Sequence, residues 1–526
     1  MLSGIHFHSL HLSKPALHFL VFAVIALVGF QLFPVMYPPL VDLPNHLARH
    51  AIGCDGGLGQ DYLKYYSYDL RPIPNLAADL VYSAGIACKD IFLTNRLLIQ
   101  FTILNLVFSV YVLHFAIWRK TSLWPVAATL LVYNTPFTYG FENFSLAAPF
   151  GLYLFAIWIT LSGKPAVVRL AIVAPLAFAL YFLHIIAFGF FILLVAAWEL
   201  GLGFDDWKSR RFRLKTFLTR GLGTLLLALP AALHFSQLNQ DAPRQGVQTV
   251  FSLFGRIEAL VSLVIPRQLL LLNPNQLLLP LTILLFFILV VFIGFQTGKL
   301  RIRDNMKSVV WLVFLVALLM PATMSDIAFV QIRYPYLVAG VFIAATRWEI
   351  TQKQQAALVL SILVLFALRT GSMKNEWIRH DAQVRELLAA TESLPAGASL
   401  FPLVSERTDL VIRQSHSISY IGLNKDIFLI SLFNGTSPLV ARPETAVMIP
   451  QQFFPPYLAY YFAYMKGEFD RFPLKAEAFQ KPYDSTNSFR YLLVLGEKPI
   501  DPAALPEGTK ILTSGSFFTI LETGAF

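Results

Sequence analysis

Apolar residues fall in uncharged blocks of roughly twenty, the length a helix needs to cross bilayer hydrocarbon, and the blocks recur from about residue 16 to residue 370. Inside a bilayer every backbone amide must be satisfied within its own segment, so such blocks predict helices. Spans are expected near 16–36, 94–118, 122–138, 146–162, 166–183, 185–203, 216–234, 277–298, 308–323, 335–347 and 355–370, about eleven in all. The first block is too long for a signal-peptide core and lacks a small-residue cleavage site, which predicts a retained span.

Basic loops orient these helices. With the N-terminus cytoplasmic, Arg119-Lys120, Lys164 with Arg169, the run Lys208–Lys215, Lys299–Lys307 and Arg347–Lys353 all fall inside, as the positive-inside rule requires. Reading 165–203 as two short spans, rather than one long bent one, preserves that alternation. An odd number of spans sends the C-terminus outside. The expected division is a transmembrane domain over 1–372, with a large first outer loop at 37–93, and a soluble extracytoplasmic domain over 373–526.

The outer loop carries two Pro-rich turns, Tyr37–Leu40 and Arg71–Pro74, and helical periodicity at 43–53 and 75–91. A second outer loop, 235–275, contains a helix-like stretch at 250–265. The soluble part opens with an amphipathic helix, Asn375–Ser393. Strand-like runs follow at 399–404, 426–433, 490–496 and 510–521, an α/β or α+β alternation.

Composition narrows the function classes. The chain is 56% hydrophobic with mean hydropathy +0.61. Only 14% of its residues are charged, against about 25% in soluble domains, which excludes a soluble enzyme. The net charge of +10 resides mostly in short loops and reports orientation. No basic stripe interleaved with aromatics points to nucleic acid. Cys54 and Cys88 share the first outer loop, where one bridge or two thiols are both open. There is no Walker A run, no Gly-rich dinucleotide loop and no His-Glu-x-x-His, so no nucleotide cofactor is expected.

Candidate chemistry gathers at the outer ends of the spans. In Pro38–Arg49, a helix begun near Pro44 puts His46 and Arg49 on one face, with Asp42 just before its first turn. Glu142 lies in the aromatic turn Phe137–Ser145, at a depth where a lone carboxylate is costly. His184 interrupts an apolar run, and Arg333 opens a late span in Arg333-Tyr-Pro, where a guanidinium can hold a phosphate bidentately. Asp69, Arg71 and Asp79 read as solvated loop charges. His416 and Asp426 show no metal or triad spacing. Asn143-Phe-Ser and Asn434-Gly-Thr match the glycosylation sequon.

This arrangement resembles the GT-C glycosyltransferase superfold. It shares an inside N-terminus, an acid just past the first span, a second acid in the next outer turn, an Arg-Tyr-Pro start to a late span, and an outer C-terminal domain. The resemblance implies transfer of a sugar from a polyprenyl-phosphate-linked donor to a glycan, lipid or protein acceptor on the outer face of a bacterial inner membrane. It implies catalytic roles for Asp42 and Glu142, with His46, Arg49, His184 and Arg333 binding substrate or phosphate. A divalent cation, Mg or Mn, held by Asp42 is left open. Adjacent first-loop acids and a Trp-Trp-Asp motif are both missing, so the resemblance does not extend to protein N-glycosylation. The competing expectations are a lipid or polysaccharide flippase, with polar residues spread through its spans, and a non-enzymatic envelope assembly protein.

Overall fold

The structure is a computed structural model that describes residues 14–54, 63, 65–238, 253–265, 277–324, 327–406, 408, 411, 414–429, 432, 437–443, 489–505 and 507–523. The chain is a polytopic helical membrane protein with a C-terminal mixed β-sheet domain. Its helices are α1 (Lys14–Phe30), α2 (Leu43–Gly53), α3 (Ala77–Tyr82), α4 (Ile91–Trp118), α5 (Thr135–Thr138), α6 (Glu142–Thr160), α7 (Ala166–Leu183), α8 (Ile185–Lys208), α9 (Leu214–Leu238) and α10 (Leu253–Val261). They continue with α11 (Leu278–Gln296), α12 (Lys307–Leu319), α13 (Pro335–Ala345), α14 (Gln352–Thr391) and α15 (Ser419–Asn424).

Among the described residues, 7 helices are long and apolar enough to cross a membrane, fewer than the expected spans. The first and tenth expected spans are shorter apolar helices, and α12, the ninth, has 13 residues. The expected span at 122–138 is not a regular helix. It is a 3₁₀ segment, Trp124–Leu131, followed by the single turn α5. Pro125 and Pro136 stand in the first turns of these two pieces, where a missing amide hydrogen costs nothing. Irregular backbone is tolerated at this depth because the stretch is buried in protein.

The two-span reading of 165–203 holds. His184 is extended (φ −166°, ψ 124°) between α7 and α8, and Arg169 near the start of α7 meets Glu199 near the end of α8 at 3.1 Å. Only an antiparallel hairpin turning at His184 brings those two positions together. Arg169 also lies 3.8 Å over the Trp158 ring, whose indole donates to Glu199 at 3.0 Å. This charged corner therefore marks the end of the bundle opposite His184.

α14 replaces the last expected span and the separate amphipathic helix with one helix of 40 residues. At 1.5 Å per residue it is about 60 Å long, twice the hydrocarbon thickness, and it runs unbroken through position 372. A capping box starts it: Thr351 Oγ1 accepts the Gln354 amide and Gln354 Oε1 accepts the Thr351 amide. No proline follows within it, which lets it project into the C-terminal domain.

That domain is built on a five-stranded mixed sheet of order β4-β5-β3-β1-β2, comprising β1 (Ala398–Val404), β2 (Ile427–Leu429), β3 (Tyr491–Leu495), β4 (Lys510–Ser514) and β5 (Phe518–Glu522). β1 is parallel to both its neighbours, and β3, β5 and β4 pair antiparallel. β3 is buried at every position and reads Tyr-Leu-Leu-Val-Leu, the continuous apolar run of a central strand. The sequon at Asn434 lies outside the described residues.

Two ties seat this domain on the segment that follows α1. Tyr66–Tyr68, a strand the periodicity does not signal, pairs antiparallel with Leu439–Ala441. Asp381 on α14 accepts the amides of Met36 and Tyr37 at 3.0 and 2.8 Å. Cys54 and Cys88 form a disulfide, settling the open choice. Replacing both by serine is expected to cost about 3–4 kcal/mol, the chain entropy of closing a loop of this length, with a sequence separation of 34. A lower melting temperature would show it, and reductant should reproduce the loss in the native chain.

Candidate active site

The site is built on α2, which begins where Val41 and Asp42 are pinned by backbone bonds to Thr138 and Tyr139. Pro44 in the first turn suits an N-terminus, whose amides need no helical partner. From this start His46, Arg49 and His50 fall on one face, at spacings of three and four.

Arg49 does not join Asp42. Its Nε and Nη2 donate to the two oxygens of Asp79 at 3.0 and 2.9 Å, a bidentate pair with Arg49 3% and Asp79 0% exposed. Asp79 is thus no solvated loop charge. Burial alone would raise its carboxyl, but Arg49, His50 and the Asn143 amide outweigh this and hold it below its usual value. Asn143 donates to Asp79 Oδ2 (3.3 Å) and the Asn75 carbonyl (2.6 Å), and accepts the Ala78 amide (2.7 Å). A sequon asparagine so engaged has no side chain to offer for glycosylation.

His50 links this pair to Glu142. Its Nε2 is 3.0 Å from Glu142 Oε2 and its Nδ1 3.5 Å from Asp79 Oδ1, while its ring stacks on Tyr82 at 4.1 Å. Arg49, Asp79, His50 and Glu142 therefore form one continuous chain of polar contacts. Below Glu142 a cavity of about 30 Å³ is lined by Leu40, Asn95, Thr102 and Ser145, room for one or two waters.

Asp42 faces the other way. Its side chain, 21% exposed, meets His416 Nε2 at 3.8 Å, and His416 Nδ1 accepts from Asn45 Nδ2 at 2.6 Å. The C-terminal domain thus contributes a group to the site. Burial pushes His416 down to about 4, so it is a neutral imidazole at pH 7. His46 is held well below its usual value by burial, then by Arg49, His50 and His416. Asp42 is raised to about 7 by burial, with the Arg333 charge partly opposing. Arg333 lies 4.2 Å over the Phe141 ring and 5.4 Å from that of Phe144, and burial lowers it to about 10. His184 stands edge-on to Phe144 at 5.1 Å, and its Nδ1 accepts the Ile186 amide, capping α8.

Asp42, His46, Glu142, His184 and Arg333 are thus gathered at one end of the helices, while Arg49 supports them through Asp79 and His50. Sequence reading did not single out His50 or Asn45, and it set Asp79 aside as a solvated loop charge and His416 for want of a metal or triad spacing. His50 had a signal, standing one helical turn beyond His46. His416 had none, since only the tertiary fold brings it to α2. No cluster of three metal-ligating side chains occurs among the described residues. Asp42 is accompanied by a neutral imidazole and a guanidinium, a donor set that does not fit Mg or Mn, which favour oxygen ligands.

No protein-family model matches the sequence, and no curated protein does. Solved structures do give a likeness. The chain is similar to ArnT. In a crystal structure of ArnT from Cupriavidus metallidurans bound to undecaprenyl phosphate, 98% of that chain and 97% of this one are covered, with 10% identity and a TM-score of 0.48.

Proposed function

We propose that the protein is a membrane-embedded glycosyltransferase that moves a sugar from a polyprenyl-phosphate-linked donor to a glycan, lipid or protein acceptor at the outer membrane face. The observation that carries this reading is that Asp42 and Arg333 lie at the same end of the helices, near enough for the Arg333 charge to act on the Asp42 carboxyl. Glycosyl transfer from a lipid phosphate needs a base for the incoming hydroxyl and fixed positive charge for the departing phosphate.

In the proposed step the acceptor oxygen bonds to the anomeric carbon as the bond from that carbon to the phosphate oxygen breaks. The electron pair leaves with the phosphate, facing Arg333. The hydroxyl proton passes to ionised Asp42. Attack opposite the leaving group inverts the anomeric centre. His416 and His46, both neutral at pH 7, can hydrogen-bond around the reacting groups without competing with Arg333 for the anion. Glu142, fixed through His50, sits beside this centre as the second acid.

Orientation supports an outer site. Basic Lys208–Lys215 follows α8 beyond the Arg169–Glu199 corner, at the end of the hairpin opposite His184. By the positive-inside rule that corner is cytoplasmic and the site is not. The Cys54–Cys88 bridge in the loop bearing the site suits an oxidising compartment.

The test compares lipid-linked sugars and surface glycans by mass spectrometry in cells with and without the protein. Loss of one sugar from a glycan together with build-up of its prenyl-phosphate donor is the expected result. Unchanged glycans and unchanged donor pools would discard the reading.

A further inference from the structure

The segment Gln414–Tyr420 of the C-terminal domain lies against α2, clipped by the Asn45–His416 bond at 2.6 Å. It reads Gln-Ser-His-Ser-Ile-Ser-Tyr, an unusually polar run for a stretch buried throughout. Three of its amides are satisfied locally: those of Ser417, Ser419 and Tyr420 bond to the carbonyls of Gln414, His416 and Ser417. Four of its side-chain polar atoms are not. Gln414 Nε2 donates to Gln383 at 3.1 Å, but Gln414 Oε1, the Ser417 and Ser419 hydroxyls and the Tyr420 hydroxyl have no hydrogen-bond partner among the described residues. Gln414, Ser417 and Ser419 are 0% exposed and Tyr420 is 1%.

A buried polar atom left unpaired is costly, and native structures contain few of them. Four within seven residues, beside Asp42 and Asn45, mark a surface built to pair with something else. The set comprises three hydroxyls, which both donate and accept, and one amide oxygen, which accepts. A phosphate wants donors alone, and a prenyl chain wants neither. Ring hydroxyls of a sugar, each donor and acceptor at once, match the set. The Tyr37 and Tyr420 rings, edge-to-face at 4.8 Å, supply the apolar side that a sugar's C–H face requires. Glu142 lies near enough for its charge to act on Tyr420.

We propose that Gln414, Ser417, Ser419 and Tyr420 form a saccharide-recognition edge, so that the C-terminal domain, through these four residues, binds the hydroxyls of a sugar ring beside Asp42. The edge is closed to solvent here, so entry requires Gln414–Tyr420 to lift from α2 by opening the Asn45–His416 clip. The inference rests on the glycosyltransferase reading for the role of that sugar, while the binding itself stands apart from turnover.

The test is saturation-transfer NMR on the full chain in lipid nanodiscs, with the methyl glycosides of glucose, galactose, mannose and arabinose, and with glucose 1-phosphate, as probes. The native chain is expected to transfer saturation to at least one probe. The double variant Ser417→Ala/Ser419→Ala, and separately Tyr420→Phe, should weaken that response at least about fivefold, as loss of a hydrogen bond to the ligand does. Both substitutions remove unpaired hydroxyls, so the melting temperature should hold or rise, and a lost signal then reports recognition rather than misfolding. A response from the phosphate-free glycosides assigns the edge to the acceptor ring. A response confined to glucose 1-phosphate, and lost in Arg333→Gln, assigns it to the donor ring. No response from any probe, or equal responses in native chain and variants, overturns the proposal. Glycoside binding that depends on these residues, in cells whose glycans do not change with loss of the protein, would sink the transferase reading and leave the edge standing. Changed glycans with variant-independent binding would do the reverse.

Discussion

Replacing Asp79 by alanine is expected to destabilise the protein by about 3–5 kcal/mol, the range for removing one partner of a buried ion pair. The substitution leaves Arg49 charged and 3% exposed, with no route to water. It also strips His50 of its second acid and frees the Asn143 amide that now bonds to Asp79. The loss should be read as a drop in melting temperature of the detergent-solubilised chain. A double variant, Arg49→Met with Asp79→Leu, should recover most of it, because two apolar side chains of similar size owe no desolvation.

The pH dependence gives the sign of the same argument. The Asp79 carboxyl is held below its unfolded value, so its contribution is complete above that unfolded value, near 4, and fades as the pH falls through the lower folded one. Native and Asp79→Ala proteins should therefore differ most at neutral pH and converge in strong acid. A constant gap down to the lowest pH would mean that the Arg49–Asp79 charge contact is not what Asp79 contributes.

The parts of this architecture written in local pattern were readable, and the parts written in tertiary contacts were not. Uncharged apolar blocks announce α4, α6, α7, α8, α9 and α11 because a helix long enough to cross hydrocarbon leaves little choice of side chain. The stretch at 122–138 is equally apolar, yet it folds as a 3₁₀ segment and a single helical turn. Hydropathy cannot separate a lipid-facing helix from an irregular segment enclosed by protein. Asp42, Glu142 and Arg333 stood out because an ionisable group at the rim of an apolar block is costly wherever it points. Asp79 did not, since its loop looks solvated until Arg49 and His50 close on it. His416 lies more than 370 positions from Asn45, and no periodicity relates the two. The same holds for Tyr66–Tyr68, which is a strand only because Leu439–Ala441 lies beside it.

Asp42→Asn is expected to lower the rate of transfer by about 10²- to 10⁴-fold, the usual contribution of a positioned general base, while leaving the fold intact. Asparagine keeps the shape of the side chain and its place beside His416, but cannot take a proton. Because the folded carboxyl is raised above its unfolded value, to about 7, its linkage to stability runs opposite to that of Asp79. The contribution is fully present in acid and is lost as the pH rises through about 7. At pH 8 the native chain holds a desolvated carboxylate that the asparagine variant does not. The inactive variant should consequently melt no lower than the native protein at that pH. Activity runs the other way. The ionised form is the base, so transfer in the native protein should climb as the pH passes 7 and then level off. Arg333 opposes the upward shift of Asp42, and Arg333→Gln should therefore displace the rising limb to higher pH as well as lower the plateau through loss of phosphate stabilisation. A flat profile between pH 6 and 8 in the native protein, or transfer retained by the asparagine variant, would take proton abstraction away from Asp42 and move it to Glu142.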